Sequence, residues 1–402
     1  MSEIFTNLTE MTGFSTMGWE TILMWMIAFL LLYLGIRKQY EPLLLVPIGF
    51  GVLLANLPGA GLGVVDSSLV VNPDGTYMSL LDIADEHGIM NLLYFSLIKT
   101  GILPPIIFMG VGVLTDFGPM LRNLKLSLFG GAAQLGIFSV LIGAVLLGFT
   151  LPEAASLGII GGADGPTAIY TTIKLAPHLL GPIAIAAYSY MALVPVIIPF
   201  IAKLLMTEKE FKIHMKKMDQ QFPPKHEIKN LKTVKIIFPI VLGVIVSVLV
   251  PSSAPLLGML LFGNLVKEIG SSTSRLADAA SGPIMNTATI FLGLTVGATM
   301  SANVFLTAQT LGIIVGGLLA FGVSVAGGIF AVKTYNLFSK KKINPLVGAT
   351  GLSAVPMASR VANEVALRYD KSNHILQYCM ASNVSGVIGS AVAAGVLISF
   401  LG

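Results

Sequence analysis

Long apolar segments, separated by short polar stretches, fill almost the whole chain. Only 11% of its 402 residues are charged, whereas soluble domains carry roughly a quarter, so the chain cannot cover a water-facing surface. In lipid the backbone must satisfy its own hydrogen bonds, and a helix does so within one segment. The chain is therefore predicted to be an all-α polytopic membrane protein. The apolar segments cover residues 19–36, 41–57, 91–114, 126–150, 154–177, 180–204, 234–250, 254–268, 283–303, 308–332, 343–366 and 376–401.

The two halves of the chain resemble each other in three places that follow the same order. The stretch PLLLVPIGFGVLL from Pro42 resembles PLLGMLLFGNLV from Pro255. The stretch IIFMGVGVLTD from Ile106 resembles TIFLGLTVGAT from Thr289, and ADGPTA loosely resembles LSAVPMA. Single matches between apolar segments arise by chance, but three in one order indicate a duplicated unit.

Basic residues predict the orientation, because cytoplasmic loops are rich in Lys and Arg. Residues 1–36 contain neither, and the Arg37–Lys38 pair follows the first span, so the amino terminus is predicted to lie outside. Lysines crowd the loop from Lys203 to Lys235, which is therefore predicted to be cytoplasmic. That loop stays inside only if segment 154–177 enters and leaves the membrane from the outer side.

The second half repeats this pattern with the opposite orientation. Basic loops before and after segment 343–366 place both of its ends inside. The chain is thus predicted to form two inverted repeats with about ten spans and two re-entrant broken segments, with both termini outside. Its parts are a first membrane repeat, a basic cytoplasmic linker and a second membrane repeat, at residues 1–206, 207–233 and 234–402.

The first broken segment, LGIIGGADGPTAIYTTIK, carries Asp164 among glycines and a proline. An ionisable residue inside a membrane segment is by default a functional hypothesis. Paired broken segments in inverted repeats indicate a binding site near the bilayer midplane, where unwound carbonyls coordinate Na⁺. Asp164 is therefore predicted to be a Na⁺ ligand. The alternatives are a structural helix cap and an exposed loop residue.

Four further residues are candidates for the same site. Ser353 in GATGLSAVPMASR and Asn383 in ASNVSGVIGS come from the second half, and Asn383 could instead make an interhelical hydrogen bond. Tyr190 offers a phenol as ligand or proton donor, or could simply bond to a neighbouring helix. Arg360 could pair with a substrate carboxylate, or merely mark the cytoplasmic face.

Three stretches, GGADGPTAIY, INPLVGATGLSAVPMASR and SNVSGVIGSAVAAG, resemble the beta subunit of the sodium-pumping biotin-dependent decarboxylases, and the resemblance covers nearly the whole chain. That family includes the oxaloacetate, methylmalonyl-CoA and glutaconyl-CoA decarboxylases. The resemblance implies an elevator-like fold in a bacterial inner membrane. It also implies a subunit that decarboxylates carboxybiotin and couples this to outward Na⁺ transport, with consumption of a proton.

The resemblance also implies partners, cofactors and site residues. Na⁺ is the transported ion, and a separate biotin carrier protein presents carboxybiotin after an alpha carboxyltransferase subunit has loaded it. A small membrane gamma or delta subunit and an oligomeric assembly are further expectations. Catalysis is implied for Tyr190, Ser353 and Arg360, carboxybiotin binding for Arg360, Asn344 and Gly348, and Na⁺ coordination for Asp164, Asn383, Ser353 and Tyr190.

A secondary transporter without chemistry is the main alternative, either a sodium-coupled carboxylate carrier or a cation/proton antiporter. Inverted repeats and a midplane aspartate would serve it equally well. The net charge of +4 does not indicate nucleic-acid binding, because the excess lysines belong to the predicted cytoplasmic loop. The single cysteine, Cys379, excludes an internal disulfide, and the histidines lack metal-ligand spacing.

Overall fold

The computed structural model describes residues 12–13, 17–39, 41–72, 75–223, 228 and 230–402, and this part of the chain is helical apart from one isolated β-bridge. The all-α prediction is confirmed. The α-helices are α1 Trp19–Ile36, α2 Pro42–Ala55, α3 Leu80–Leu93, α4 Leu103–Leu114, α5 Gly118–Arg122, α6 Leu124–Ala133, α7 Leu135–Leu146, α8 Leu151–Gly158, α9 Gly165–Leu175, α10 Leu180–Ala192, α11 Val194–Leu205, α12 Glu208–Phe211, α13 Met215–Gln221, α14 Leu231–Leu249, α15 Ala254–Ile269, α16 Ser274–Ala279, α17 Met285–Ala298, α18 Ala302–Phe305, α19 Ala308–Phe338, α20 Leu346–Ala349, α21 Met357–Tyr369 and α22 Leu376–Leu401.

Six helices of the described chain are long and apolar enough to cross a membrane, or eight if two bent helix pairs count as one span each. The bent pairs are α3–α4, at 65°, and α10–α11, at 67°. The sequence predicts about ten spans, and helices α2 and α15 account for the difference from eight. They have only 14 and 16 residues, whereas a span needs roughly 20. The count of about ten therefore stays a prediction.

Two helix pairs pack backbone to backbone through glycine. Helix α2 packs against α17, where Gly51 and Gly297 lie against each other, and α15 packs against α4, where Gly112 and Gly263 face the opposite backbone. Small residues allow such close approach between membrane helices. The repeat predicted from sequence matches α2 to α15 and α4 to α17. The pair α2–α17 in one place therefore corresponds to the pair α15–α4 in the other. This packing agrees with a duplicated unit, and the inverted repeat remains a prediction.

Two broken segments turn back within the molecule. The first hairpin, residues 151–175, runs through α8, a 3₁₀ turn at Ile159–Gly162 and α9. A side-chain contact joins its two ends, because Glu153 Oε1 in the first turn of α8 lies 2.9 Å from Nε2 of His178, just after α9. The His178 imidazole and the Thr150 amide hold the pKa of the Glu153 carboxyl below its usual range. The first hairpin therefore returns to the side from which it starts, as the sequence predicts.

The second hairpin, residues 346–369, consists of α20, an irregular tip and α21. Asn344 precedes it and Asn373 follows it, and both side-chain amides donate to the same carbonyls, those of Phe211 and Ile213, at 3.0 to 3.4 Å. Phe211 also stacks on Tyr369 with ring centroids 4.1 Å apart. This hairpin likewise begins and ends on one side.

The described part of the basic linker, residues 207–233, is folded against the second hairpin. Its two short helices, α12 and α13, are held by ion pairs from Lys333 to Glu210 at 3.2 Å and from Lys341 to Asp219 at 2.6 Å. The sequence predicts only a basic loop here, because charge reports the side of the membrane and not the tertiary contacts. The division at residues 206 and 233 remains a prediction.

Helix α22 shows that the two hairpins start at opposite ends of the molecule. Its first turn is bonded to the basic linker through Tyr378 and Asp219, which places it at the base of the second hairpin. Gly402, which follows its last residue, lies beside Leu175 at the base of the first hairpin. Since α22 has 26 residues, it is about 39 Å long. The two hairpins thus approach each other from opposite faces.

Candidate functional site

Asp164 lies at the tip of the first hairpin, where the chain changes direction. Ala163 before it has a left-handed backbone, with φ of +53°, and Gly165 and Pro166 after it begin α9. Proline suits the first turn of a helix because it has no N–H to satisfy. The Asp164 Oδ1 atom accepts a hydrogen bond from the Thr167 amide at 3.2 Å. Asp164 is therefore the N-cap of α9, which is a preferred place for aspartate.

Ser353 lies at the tip of the second hairpin and joins it to the first. Its amide donates to the Gly162 carbonyl at 2.9 Å, and its hydroxyl donates to Asp164 Oδ2 at 2.7 Å. The two residues are 189 positions apart in the chain. The sequence predicts that both belong to one site, and the structure places them in direct contact.

Ser390 completes the contacts of Asp164, and the sequence analysis does not select it. Its hydroxyl donates to Asp164 Oδ2 at 2.8 Å and lies 3.2 Å from the Ser353 hydroxyl. It projects from the middle of α22, between the bases of the two hairpins. A serine among alanines and glycines in an apolar helix has the pattern of a packing residue, so only the folded chain reveals its role.

The carboxylate of Asp164 is only 4% exposed and is bonded through neutral donors alone. No Lys, Arg or His of the described chain forms an ion pair with it. A buried carboxylate requires a compensating cation or a proton. Carboxylate, hydroxyl and carbonyl oxygens are the ligands of hard cations, so this arrangement can bind Na⁺. The described residues contain no cluster of three or more His, Cys, Asp or Glu for another metal.

Asn383 supports the second tip from α22. Its side-chain amide donates to the Leu352 carbonyl, and its Oδ1 accepts from the Ser359 hydroxyl at 3.3 Å. It therefore holds the residue that precedes Ser353. These contacts match the interhelical hydrogen bond that the sequence left open, and the direct role of Asn383 in Na⁺ coordination stays a prediction.

Tyr190 points away from the hairpin tips. Its hydroxyl donates to the Ile314 carbonyl of α19, and its ring lies against Gly317. Tyr188, two residues earlier, has its ring against Gly165, next to Asp164. The structure therefore brings Tyr188 rather than Tyr190 to the first tip, and the catalytic and ligand roles of Tyr190 stay predictions.

Asn344 and Gly348 lie along the start of the second hairpin and not at its tip. Both polar atoms of the Asn344 side chain already make hydrogen bonds within the protein. Its Oδ1 accepts from the Leu346 amide at 3.1 Å, and its Nδ2 donates to the Phe211 carbonyl of the basic linker. Gly348 faces the backbone of Gly328 in α19 so closely that any Cβ would collide with it. Both residues position the hairpin, and their binding of carboxybiotin remains a prediction.

Arg360 lies in the first turn of α21 with its side chain exposed. Glu364 and Arg368 follow at intervals of four residues and are exposed on the same face of the helix. The Arg360 guanidinium makes no hydrogen bond or ion pair with any described residue. Charged groups at membrane depth face water-filled spaces rather than lipid. This face of α21 is therefore charged and accessible to water.

Comparison with known proteins gives one consistent result. A family model described as the Na⁺-transporting oxaloacetate decarboxylase beta subunit matches residues 20–401. The methylmalonyl-CoA decarboxylase subunit beta of Propionigenium modestum is 48% identical, over 100% of both chains. The oxaloacetate decarboxylase beta chain of Klebsiella pneumoniae is 46% identical over 99% of both chains. The methylmalonyl-CoA decarboxylase subunit beta of Veillonella parvula is 46% identical over 97% of this chain and 95% of that one.

Proposed function

Because this chain belongs to the family of Na⁺-transporting oxaloacetate decarboxylase beta subunits, we propose that its two hairpins bind the transported Na⁺ between their tips and couple it to the decarboxylation of carboxybiotin. Membership makes the chain a membrane subunit in which decarboxylation and sodium transport are coupled. The observation that carries the proposal is the buried Asp164 carboxylate, held by Ser353 and Ser390 where the hairpins meet.

The coupling follows from the charge of this site. Because Asp164 has no ion-pair partner among the described residues, it is neutralised either by Na⁺ or by a proton. Loss of CO₂ from carboxybiotin breaks a nitrogen–carbon bond and leaves the electron pair on the urea nitrogen, which must gain a proton. A proton that Na⁺ displaces from Asp164, or from the serines bonded to it, supplies that requirement. Na⁺ binding and decarboxylation then depend on each other.

The exposed face of α21 is the proposed place for carboxybiotin. Arg360 offers an unused guanidinium there, and its planar fork fits a carboxylate bidentately. The lysines of the basic linker favour a cytoplasmic position for this face, where a separate biotin carrier would reach it. A carboxyltransferase, the carrier and a small gamma or delta membrane subunit complete the proposed complex, an oligomer in the bacterial inner membrane.

The experiment that tests this function measures both reactions in one preparation. The purified complex is reconstituted into vesicles, and ²²Na⁺ uptake is followed with and without carboxybiotin. We expect Na⁺ to enter only while carboxybiotin is consumed, and consumption to require Na⁺. The rival transporter without chemistry predicts Na⁺ exchange in the absence of carboxybiotin, and that result would remove the coupling from this proposal.

Arg360→Lys is expected to raise the KM for carboxybiotin by about tenfold, the equivalent of one lost hydrogen bond to a charged group. Lysine keeps the charge but loses the two-pronged geometry. The KM is measured from the steady-state decay of free carboxybiotin at saturating Na⁺. Arg368→Lys, two turns along the same exposed face, is the matched control and should leave the KM unchanged. An unaltered KM in Arg360→Lys would exclude this residue from carboxylate binding.

The proposed orientation is tested by single-cysteine labelling in a Cys379→Ala background. Lys217 on α13 and Asp85 on α3 are both exposed. A membrane-impermeant maleimide is expected to label Asp85→Cys in intact cells, and Lys217→Cys only after the cells are opened. Labelling of Lys217→Cys in intact cells would overturn the cytoplasmic position of the basic linker. The amino terminus is also predicted to be external, and its first residues lie outside the described part of the chain.

A further inference from the structure

A cavity of about 560 Å³ lies where the basic linker meets the starts of three long helices. Its wall includes Asn123, Leu231 and Gln377, which lie at or beside the first residues of α6, α14 and α22. The α6–α7 pair, α14 and α22 are all long and apolar enough to cross a membrane. The polar headgroup layer flanks the hydrocarbon core at the ends of such helices. The cavity therefore lies at the level of the lipid headgroups.

Direct contacts between packed elements build the wall of this cavity. Helix α5 contributes to the wall and packs against α22. Asp116, just before α5, forms an ion pair with Lys235 of α14 at 2.8 Å. The Tyr378 hydroxyl of α22 donates to Asp219 of the basic linker at 2.5 Å. The cavity is thus enclosed by elements that hold one another in place, and its volume is that of a small-molecule site, roughly 300–1,000 Å³.

Three polar side chains in the wall have no partner within the protein. The Arg122 guanidinium and the side-chain amides of Asn123 and Gln377 make no hydrogen bond or ion pair with any described residue. A guanidinium offers several N–H donors in a planar fork that fits the oxygens of a phosphate or carboxylate. The two amides can donate to the same group. This part of the wall is therefore suited to an oxyanion.

The same cavity also presents a carboxylate oxygen that is free to accept. Asp116 Oδ1 accepts from Lys235 Nζ and from the Gly118 amide, both at 2.8 Å, whereas its Oδ2 bonds to no described residue. Asp116 and Arg122 lie at opposite ends of α5, which has five residues and is about 7.5 Å long. The wall thus offers one group for a cation and one for an anion a short distance apart. That arrangement fits a zwitterion.

Two of the helices that begin at the cavity present apolar faces to lipid. Leu124 and Leu128, in the first two turns of α6, are 61% and 70% exposed and lie on one side of the helix. Helix α14 is the least buried of the six candidate spans in the described chain, and its Ile237 and Ile240 are exposed. Acyl chains cover apolar surface of this kind. A headgroup in the cavity would therefore continue into chains that lie along α6 and α14.

We infer that this cavity binds the headgroup of a phospholipid of the phosphatidylethanolamine class, with its phosphate at Arg122 and its ammonium at Asp116. Pockets between membrane helices at this level suit lipid headgroups. An ethanolamine ammonium has three N–H donors, a choline group has none, and a glycerol headgroup has no positive charge. Gln377 in the wall lies about 20 Å along α22 from Ser390, so the inference does not depend on the proposed Na⁺ site.

Lipid binding to the purified, delipidated complex in detergent tests this site. Dioleoyl phosphatidylethanolamine is titrated and the bound lipid is measured by native mass spectrometry, with the choline and glycerol lipids of the same chains for comparison. We expect the ethanolamine lipid to bind about tenfold more tightly than either, the effect of one hydrogen bond to a charged group. Equal binding of the three lipids would overturn the headgroup assignment.

Two soluble probes distinguish a lipid from a free phosphate compound at the same cavity. Phosphoethanolamine and inorganic phosphate are titrated as competitors of the ethanolamine lipid. We expect each to compete at least about 100-fold more weakly than the unlabelled lipid, because neither carries the acyl chains that cover α6 and α14. Competition as strong as that of the lipid would show a site for a soluble phosphate and would overturn the assignment to a membrane lipid.

Arg122→Gln is expected to raise the Kd for the ethanolamine lipid by about tenfold, and it breaks no contact with a described residue. Arg275→Gln is the matched control, because Arg275 is an exposed arginine on α16 that does not line the cavity. Asp116→Asn is expected to lose the preference for ethanolamine over choline. That preference is a ratio within one preparation, so a general loss of stability does not produce it. A wild-type Kd in Arg122→Gln, or a wild-type preference in Asp116→Asn, would overturn the proposal.

Discussion

Asp164→Asn is expected to abolish coupled turnover, with Na⁺ affinity and decarboxylation each falling by about 100-fold or more. Asparagine keeps the size of the side chain and can still cap α9 through its oxygen. It loses the charge that compensates Na⁺, and its amide group would face the Ser353 and Ser390 hydroxyls as a donor. Each hydrogen bond to a charged group is worth about 1.5–3 kcal/mol, and about 1.4 kcal/mol is a factor of ten.

Two assays on the same preparation check this result. Carboxybiotin decay in detergent is measured against Na⁺ concentration, and ²²Na⁺ uptake is measured in vesicles. Asp278→Asn is the control, because Asp278 is an exposed carboxylate at the end of α16 and should leave both curves unchanged. If Asp164 were only a structural cap, Asp164→Asn would express poorly, and the surviving protein would keep the wild-type sodium curve. A wild-type sodium curve in well-folded Asp164→Asn protein would overturn the proposal.

The hairpin architecture could be predicted because charge distribution records the side of each loop. Only a hairpin at 154–177 keeps the lysine-rich loop inside, and the structure has that hairpin, with its ends joined by Glu153 and His178. Its boundaries could not be predicted, because the break depends on local turn geometry at Ala163. The predicted segment 343–366 likewise holds only one helical turn, α20, before its irregular tip.

The composition of the site was predictable only where a residue conflicts with its surroundings. Asp164 is a charge in an apolar segment, and Ser353 occupies the matching place in the predicted second repeat, so both stand out. Ser390 does not stand out, and neither does Tyr188. Residues in a helix are about 100° apart, so Tyr188 and Tyr190 point to nearly opposite sides of α10. One apolar sequence gives no indication of which side faces Asp164.

The energetics explain why the two hairpins must meet so tightly. Moving one charge against the membrane potential costs about 2.3 kcal/mol per 100 mV, and a site that leaked protons or Na⁺ would dissipate that energy. The Ser353 amide bonded to the Gly162 carbonyl, and both serine hydroxyls on one carboxylate oxygen, fix the tips relative to each other. Any change that shifts one hairpin is therefore expected to disturb the proposed Na⁺ site even when it lies far from Asp164.

Gly348→Ala tests that dependence and is expected to reduce decarboxylation by about 100-fold, the effect of a misplacement of about 1 Å in an active site. A Cβ at Gly348 would collide with the Gly328 backbone, which cannot move aside as a flexible side chain could. The start of the second hairpin must therefore shift away from α19 and carry Ser353 with it. Overpacking of this kind costs about 1–3 kcal/mol, so the unfolding temperature in detergent should fall together with the activity.

Gly327→Ala is the matched control on α19. A Cβ at Gly327 would make only ordinary van der Waals contacts, with Ala132 and Leu135, so stability and activity should both be retained. The pair also separates the two roles considered for Gly348. If Gly348→Ala keeps its unfolding temperature and Na⁺ affinity while the KM for carboxybiotin alone rises, Gly348 binds carboxybiotin as its family resemblance implies. A joint loss of stability, Na⁺ affinity and turnover shows instead that Gly348 acts through the position of the hairpin.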